Sequence, residues 1–249
     1  MKKILILVFI AILGITFTSC DDTATDPVPV VETGNLVVTS TPAGASIALN
    51  KTGTGEVTPH TFADQDVAVY EVTLTLDNYA DTTLFVDVLK DQDATVNVVL
   101  TPQSTVFSTP VRIWETTGTT ADQPSGLVLS SGAAQSSSSA DIDIYYYSSS
   151  DGSTYLVQSA NANNSAKRAT YFKVSSSTNL NDGVDSGAKN STWASAMGDR
   201  ETNYAFLYDA DSHYSKLKIV NFGGGTGPGD PSWVEVSWIY NKAKDSVVF

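Results

Sequence analysis

The sequence predicts an all-β protein in which a small β-sandwich is followed by a second antiparallel β-rich domain. Thr, Val, Ser and Tyr are frequent, and Val, Thr and Tyr favour strands. Apolar and polar residues alternate over short stretches, and clusters of Gly, Asn, Asp and Pro separate these stretches, as is typical of antiparallel strands and turns. Helical periodicity is nearly absent, and the best helix candidate is the short segment 192–197, which Gly198 closes.

The first 19 residues have the features of an export signal. Two lysines precede an apolar run over residues 4–15, which is too short to span a bilayer comfortably. The run leads into FTSC at residues 17–20. This ending resembles a bacterial lipobox, with Phe17 in the place of the usual leucine. The resemblance implies a lipoprotein signal peptide over residues 1–19 and a lipid anchor on Cys20.

Cys20 is the only cysteine, so an exported chain of this sequence cannot form an internal disulfide bond. A thioether-linked lipid would anchor the chain, because each buried methylene contributes about 0.8 kcal/mol. A plain signal peptide with an incidental cysteine is the alternative. The pair Asp21–Asp22 resembles surface lipoproteins of Bacteroidota-type bacteria, whereas in enteric bacteria it would favour the inner membrane. We expect an exported protein that is anchored to the outer membrane, with the bilayer as a partner and possible surface exposure.

The charge of the chain excludes some partners. Its 14 basic and 27 acidic residues give a net charge of −13, and loss of the two lysines with the signal peptide would change it to −15. Nucleic acids and anionic lipid headgroups would be repelled by such a chain. Residues 20–33 contain two prolines and few large apolar residues, which indicates a tether.

Residues 34–100 predict the small β-sandwich. We expect a turn at residues 42–45 and a reversal at Gly53 and Gly55, and we interpret His60 as a surface turn residue because it follows Pro59. The predicted strands cover residues 36–40, 46–49, 69–76, 82–88 and 94–100.

This half of the chain resembles the PEGA domain, a small β-sandwich of bacterial envelope proteins. Ala43 stands where the family's name has glutamate, and Ala68 and Asn78 replace glycines. The resemblance implies an adhesion or spacer module without catalytic residues. It is carried by Pro42, Gly44, Ala45, Gly55, Thr58, Pro59, Tyr70, Asn78 and Tyr79.

Residues 101–110 predict a proline-flanked linker, and residues 111–249 predict the second domain. All four tryptophans and nine of the eleven tyrosines lie in this second domain. On the last predicted strand, the residues from Val234 to Tyr240 alternate between two faces. Residues 223–229 predict a glycine-rich hairpin loop. The predicted strands cover residues 141–147, 170–174, 204–208, 216–222 and 233–240.

The second domain resembles the HmuY-like haem-binding lipoproteins in three segments, residues 139–144, 213–219 and 234–240. The resemblance implies haem as a cofactor and as an alternative function. Haem needs axial ligands such as His or Met, and His213 and Met197 are the candidates. The alternative is that His213 faces solvent in a turn and that Met197 packs in the core.

The sequence gives little support to catalysis or to a metal site, and we expect the protein not to be an enzyme. The serine tract at residues 136–139 lacks the pattern of a nucleophile elbow. Asp141 and Asp143 are expected on an exposed strand face. The Asp209–Asp211 and Asn179–Asp182 segments are expected to form Asx turns rather than a calcium site.

The expected function is therefore non-catalytic binding or structural work at the cell envelope, with an envelope protein, a glycan or haem as partner. Tyr145, Tyr146 and Tyr147 are consecutive in a predicted strand, so they cannot all face one way. Exposed tyrosines on a strand can stack on sugar rings, although packing in a β core explains large aromatic residues equally well.

Overall fold

The computed structural model of the protein describes residues 31–117, 122–226 and 229–249. Within these ranges all regular secondary structure is β, in 17 strands, which confirms the predicted fold class. None of the described residues forms a helix that is long and apolar enough to cross a bilayer. The signal peptide, Cys20 and most of the predicted tether lie outside the described residues.

The first seven strands form a sandwich, which we call the N-terminal sandwich. One sheet has the order β4-β1-β7 and the other has the order β3-β2-β5-β6. All pairs are antiparallel except β1 with β7, which is parallel. The strands are β1 (Thr33–Thr41), β2 (Ser46–Leu49), β3 (Thr52–Val57), β4 (His60–Asp66), β5 (Val69–Thr75), β6 (Thr82–Asp87) and β7 (Asp93–Val99).

The core of the N-terminal sandwich follows from the alternation in its strands. Leu36 and Val38 of β1 are buried and face Val72 and Leu74 of β5 from the opposite sheet, within one apolar cluster. Successive side chains of a strand point to opposite faces, so the intervening residues remain accessible.

Two features of this half differ from the sequence prediction. The reversal after β2 occurs at Asn50 and Lys51, which have positive φ, while Gly53 and Gly55 lie within β3. His60 is not a turn residue, because it begins strand β4 and its ring packs 4.5 Å from that of Phe62. Both strands are mostly exposed, so they lack the apolar alternation that reveals a half-buried strand.

The predicted linker at residues 101–110 is also wrong over most of its length. Pro102 forms a bridge with Tyr79, and the backbone N–H of Gln103 donates to the carbonyl of Asn78. The carbonyl of Gln103 accepts the N–H of Lys242 from the second half of the chain. The next strand, β8 (Ser104–Trp114), begins immediately afterwards. The proline that suggested a linker, Pro110, lies where the register between β8 and its neighbour shifts, a position that tolerates a residue without an N–H.

The remaining ten strands form the C-terminal sandwich. One sheet has the order β10-β9-β11-β12-β14 and the other has the order β13-β15-β16-β17-β8. Their facing sides share one large apolar cluster, which Trp238 and Tyr146 anchor with fully buried rings. The strands after β8 are β9 (Gly126–Leu127), β10 (Ala134–Gln135), β11 (Ile144–Ser148), β12 (Tyr155–Ser159), β13 (Tyr171–Val174), β14 (Ala196–Gly198), β15 (Ala205–Tyr208), β16 (Tyr214–Gly223) and β17 (Trp233–Asn241).

The five strands predicted in this half are present, although β11 begins three residues later than expected. The predicted face of β17 is confirmed, since Val234, Val236 and Trp238 are fully buried. β16 and β17 form an antiparallel pair joined by the predicted glycine-rich loop, in which residues 227 and 228 are not described.

The helix expected at residues 192–197 is wrong. Ala194 bridges to Phe172, and β14 pairs with β12 instead. A six-residue helix has a costly nucleus and few internal hydrogen bonds, whereas strand pairing here also buries Met197 in the core.

Candidate functional site

The three consecutive tyrosines of β11 divide between the two faces of their sheet. Tyr146 points into the core, where its hydroxyl donates to the Asp199 carboxylate at 2.9 Å. Tyr145 and Tyr147 point to the outer face, where they pack with Ile142 and Ala160. Their rings meet edge to face, with centroids 6.4 Å apart. The strand therefore presents an aromatic pair away from the core.

This aromatic pair lines a pocket of about 230 Å³ on the outer face of the sheet. The other lining groups are hydroxyls, amides, one methyl group and one ammonium. They are supplied by Thr116, Ser137, Ala160, Asn163, Asn164 and Lys167.

The phenol of Tyr145 is held in place by two amide groups. Gln158 lies directly opposite Tyr145 on β12, and its side-chain N–H donates to the phenol oxygen. The Asn163 side chain donates to the same oxygen at 2.8 Å. Burial raises the pKa of Tyr145 in spite of these two hydrogen bonds, so the phenol stays protonated at neutral pH.

Most of the remaining lining residues belong to the loop at residues 160–169, which follows β12 and contacts Tyr145 through Asn163. Short-range backbone hydrogen bonds shape this loop, including those from Asn164 N–H to the Asn161 carbonyl and from Lys167 N–H to the Asn164 carbonyl. The Lys167 ammonium also donates to the carbonyl of Ser137. The polar lining residues are thus held by a closed loop and not by the sheet alone.

A buried ion pair fixes the far end of this loop. The Nε of Arg168 donates to Oδ1 of Asp143 at 2.8 Å, and the other carboxylate oxygen accepts the N–H of Leu129 at 2.8 Å. Arg168 also contacts the carboxylate of Asp211 at 2.5 Å. Burial raises the pKa of Asp143, although the Leu129 N–H and the Arg168 guanidinium oppose this effect. Arg168 therefore ties the loop to the segments that precede β11 and β16.

This geometry corrects the expectation for the two spaced aspartates. Asp141 and Asp143 precede β11 and do not lie in a strand, and only Asp141 is exposed. The Asp143 side chain is 1% exposed. Burial of this carboxylate depends on Arg168, a residue 25 positions away that the sequence pattern did not indicate.

The two candidate haem ligands lie in different parts of the C-terminal sandwich. Met197 lies on β14 and is 4% exposed within the large core cluster. His213 is half-buried just before β16, where its Nδ1 hydrogen-bonds the carbonyl of Asn241 at 3.1 Å and its ring packs on Tyr240. A haem iron bound by both residues would require Met197 to leave the core. Haem binding and these ligands stay predictions.

The expected Asx turns are present. Oδ1 of Asp209 accepts the backbone N–H groups of Asp211 and His213, and Oδ1 of Asp182 accepts that of Val184. In the described part of the chain, no group of three or more His, Cys, Asp or Glu side chains is arranged to hold a metal ion.

A larger open depression of about 670 Å³ contains three carboxylates. Each carboxylate already accepts a hydrogen bond from the protein. Glu115 accepts the N–H of Ser232 at 2.6 Å, Asp151 accepts the N–H of Ser153, and Asp230 accepts the hydroxyl of Thr226. These groups hold their own loops together, so the smaller tyrosine-lined pocket is the better candidate site.

Comparison with known families gives a match to one segment, which is less than a third of the chain. The family model of the PEGA domain matches residues 33–104. This segment is a PEGA domain. The prediction over residues 34–100 is confirmed, and the match extends to the first residue of β8. The search of curated proteins gives no match.

One solved structure that resembles this chain comes from Bacteroides fragilis NCTC 9343. It is a protein of unknown function, provisionally described as membrane-associated. The alignment covers 87% of this chain and 100% of that one, with 13% identity and a TM-score of 0.22. At this TM-score the likeness supports no inference about fold or function.

The residues that carry the PEGA resemblance have structural roles. Gly44 has a φ of 91°, and its N–H donates to the Thr58 carbonyl at 2.8 Å. The buried Thr58 hydroxyl accepts the N–H of Ala45 and contacts the hydroxyl of Ser40. Asn78 has a φ of 67°, a conformation that asparagine tolerates better than most residues. These residues thus stabilise the turns of the PEGA domain.

Proposed function

We propose that this protein is a non-catalytic, lipid-anchored envelope protein whose C-terminal sandwich binds a glycan in the Tyr145–Tyr147 pocket. The PEGA domain would act as the spacer between the lipid on Cys20 and the binding sandwich. The observation that carries the proposal is the pairing of outward-facing tyrosines with amide side chains on a closed loop.

The lining chemistry suits a sugar. Sugar rings present apolar C–H faces that stack on aromatic rings, and their hydroxyls need both donors and acceptors. Tyr147 is partly exposed and supplies a ring, while Asn163 and Asn164 are exposed and supply amides that donate and accept. Small-ligand sites commonly combine an apolar wall with a few placed polar groups.

The placement of these groups also suits binding without a large rearrangement. The Tyr145 phenol is fixed by two hydrogen bonds, and the loop is tied to the sandwich through Arg168 and Asp143. A site that is ordered before binding loses less conformational entropy when the ligand arrives. The hydroxyl, amide and phenol groups favour hydrogen bonding over acid–base turnover, in line with a non-catalytic role.

The spacer role draws on how the PEGA domain connects to the C-terminal sandwich. Gln103 hydrogen-bonds residues of both, through its N–H to Asn78 and through its carbonyl to Lys242. Its side-chain amide also donates to the carbonyl of Tyr79 at 3.0 Å. A hydrogen-bonded junction of this kind would keep the binding sandwich at a defined distance from a tether.

An array of neutral, carboxylated and sulfated oligosaccharides tests the proposal, with the full chain purified in mild detergent. We expect a small set of glycans to bind wild type and to lose binding in Tyr147→Ala. Phe85→Ala is the matched control, since Phe85 is an aromatic residue that is 69% exposed in the PEGA domain. No bound glycan, or equal binding by Tyr147→Ala, would overturn the proposed function.

A further inference from the structure

We propose further that the Tyr145–Tyr147 pocket selects an acidic sugar, a pyranose whose carboxylate or sulfate group contacts the ammonium of Lys167. This inference rests on the proposed function, because it names the class of glycan for the same pocket. It concerns the charge of the ligand, which the aromatic pair alone does not determine.

The charge of the pocket is opposite to that of the protein. The chain carries a net charge of −13, yet Lys167 is the one charged side chain among the eight lining residues. A ligand with a negative group would meet an attractive charge here and repulsion over much of the remaining surface. The pocket is therefore a local exception that favours anions.

The Lys167 ammonium is available for such a contact. Within the part of the chain that the structure describes, no carboxylate lies within ion-pair distance of it. An ammonium has three N–H donors, and the carbonyl of Ser137 uses one of them. The neighbouring Arg168 is different, since Asp143 and Asp211 already neutralise its charge.

Tyr145 adds a second donor. Its oxygen accepts hydrogen bonds from Gln158 and Asn163, so its own hydroxyl proton is left to donate to a further acceptor. Tyr145 is only 5% exposed, so this O–H has little access to bulk water. A hydroxyl that is largely buried needs an acceptor, and an oxygen of a ligand in the pocket would supply one.

The pocket thus places two donors, one of them charged, beside the Tyr147 ring. A neutral sugar would use the ring and the amides, but its hydroxyls would offer the ammonium only uncharged acceptors. A carboxylate or sulfate accepts a charge-assisted hydrogen bond, which is roughly twice as strong as a neutral one. The geometry favours a ring with one acidic substituent.

The array provides the first part of the test, and the best-binding acidic glycan is then compared with its carboxyl-reduced or desulfated form by calorimetry. We expect the neutral form to bind about tenfold more weakly, the effect of losing one charged hydrogen bond. Lys167→Met keeps the aliphatic stem but removes the hydrogen bond to the Ser137 carbonyl, so the readout is the ratio of the two affinities. We expect the preference for the acidic form over the neutral form to fall about tenfold. Lys242→Met, an exposed lysine on the same sandwich, is the charge-matched control.

The outcomes separate the two proposals. Preference for neutral glycans, or equal loss of both forms in Lys167→Met, would overturn the acidic-sugar inference and leave glycan binding in place. An array on which no glycan binds would overturn both. Selective binding of only the carboxylated or only the sulfated members would support the inference and identify the acidic group.

Discussion

The ammonium of Lys216 lies 2.9 Å from Oδ1 of Asp182, with the lysine side chain fully buried and the aspartate side chain 14% exposed. Lys216 projects from β16 into an aromatic layer on the outer face of its sheet, where the rings of Tyr204, Phe206 and Phe249 lie 5.0 to 5.6 Å from the ammonium. The hydroxyl of Tyr204 donates to the other oxygen of Asp182. The pair therefore fastens the loop that carries Asp182 onto the sheet.

The unequal burial of this pair predicts unequal mutational effects. Asp182→Asn leaves a fully buried ammonium without its counter-charge, and we expect a loss of about 3 to 5 kcal/mol in the free energy of unfolding. Lys216→Met keeps the apolar stem and leaves a carboxylate that reaches water, so we expect a loss of about 1 kcal/mol. Urea denaturation measures both values. Lys218→Met on the same strand is the control, and equal losses for the two main variants would contradict this interpretation.

The stability of the protein is expected to depend on pH in two opposing ways. Burial raises the pKa of Asp143 and of Asp209. A carboxyl whose pKa is raised in the folded state contributes stability at pH values below its pKa in the unfolded chain, about 3.9. This contribution is lost as the pH rises through the pKa of the same carboxyl in the folded state. Burial alone would also raise the pKa of Asp182, but hydrogen bonds from Lys216 and the Val184 N–H hold it well below its ordinary value. That contribution is present above pH about 3.9 and is lost as pH falls further.

We therefore expect the free energy of unfolding to be highest in mildly acidic solution and lower at pH about 7.5. Urea denaturation across this range measures the profile. Asp209→Asn keeps an oxygen that can accept the N–H groups of Asp211 and His213, and we expect it to flatten the decline toward neutral pH. A stability that rises steadily up to neutral pH in wild type would show that these buried carboxyls do not control the profile.

The proposed lipid anchor predicts a clear cellular result for Cys20. In a bacterial host with a lipoprotein pathway, wild type should incorporate a labelled fatty acid and fractionate with membranes. Cys20→Ser should lose the label and associate less with membranes, because the proposed lipid is attached through the cysteine sulfur. Asp21→Ser is the neighbouring control for labelling. An unlabelled wild-type protein would contradict the anchor.

For haem we expect a negative result. Met197 is packed in the core, so it cannot act as the second axial ligand beside His213 in the described arrangement. A haemin titration should match that of an unrelated acidic protein. A saturable, red-shifted Soret band that disappears in His213→Ala or Met197→Ala would establish haem binding and its ligands.

The fold class and most buried strands could be predicted because burial on one face produces alternation, as in β1 and β5. Strands β3 and β4 were missed because they are exposed on both faces over much of their length. Pro110 suggested a linker because a proline is rare inside a strand, and only the register shift with β17 explains its position.

The candidate site was predictable only in part. Alternation in β11 predicted that some tyrosines would face outward, which the structure confirms for Tyr145 and Tyr147. The contribution of Asn163 and Lys167 depends on a loop that folds back through Arg168 and Asp143, and such long-range pairing leaves no local pattern. The asparagines at positions 161, 163 and 164 are the one local signal that could have indicated a polar loop here.

The central claim is that Tyr147 forms the wall of a sugar-binding pocket. The most direct measurement is a calorimetric titration of the strongest glycan from the array into wild type, Tyr147→Phe and Tyr147→Ala. We expect Tyr147→Phe, which keeps the ring, to bind within about threefold of wild type, and Tyr147→Ala to lose at least about tenfold in affinity. Unchanged affinity in Tyr147→Ala, with unfolding free energies equal in all three proteins, would contradict the claim.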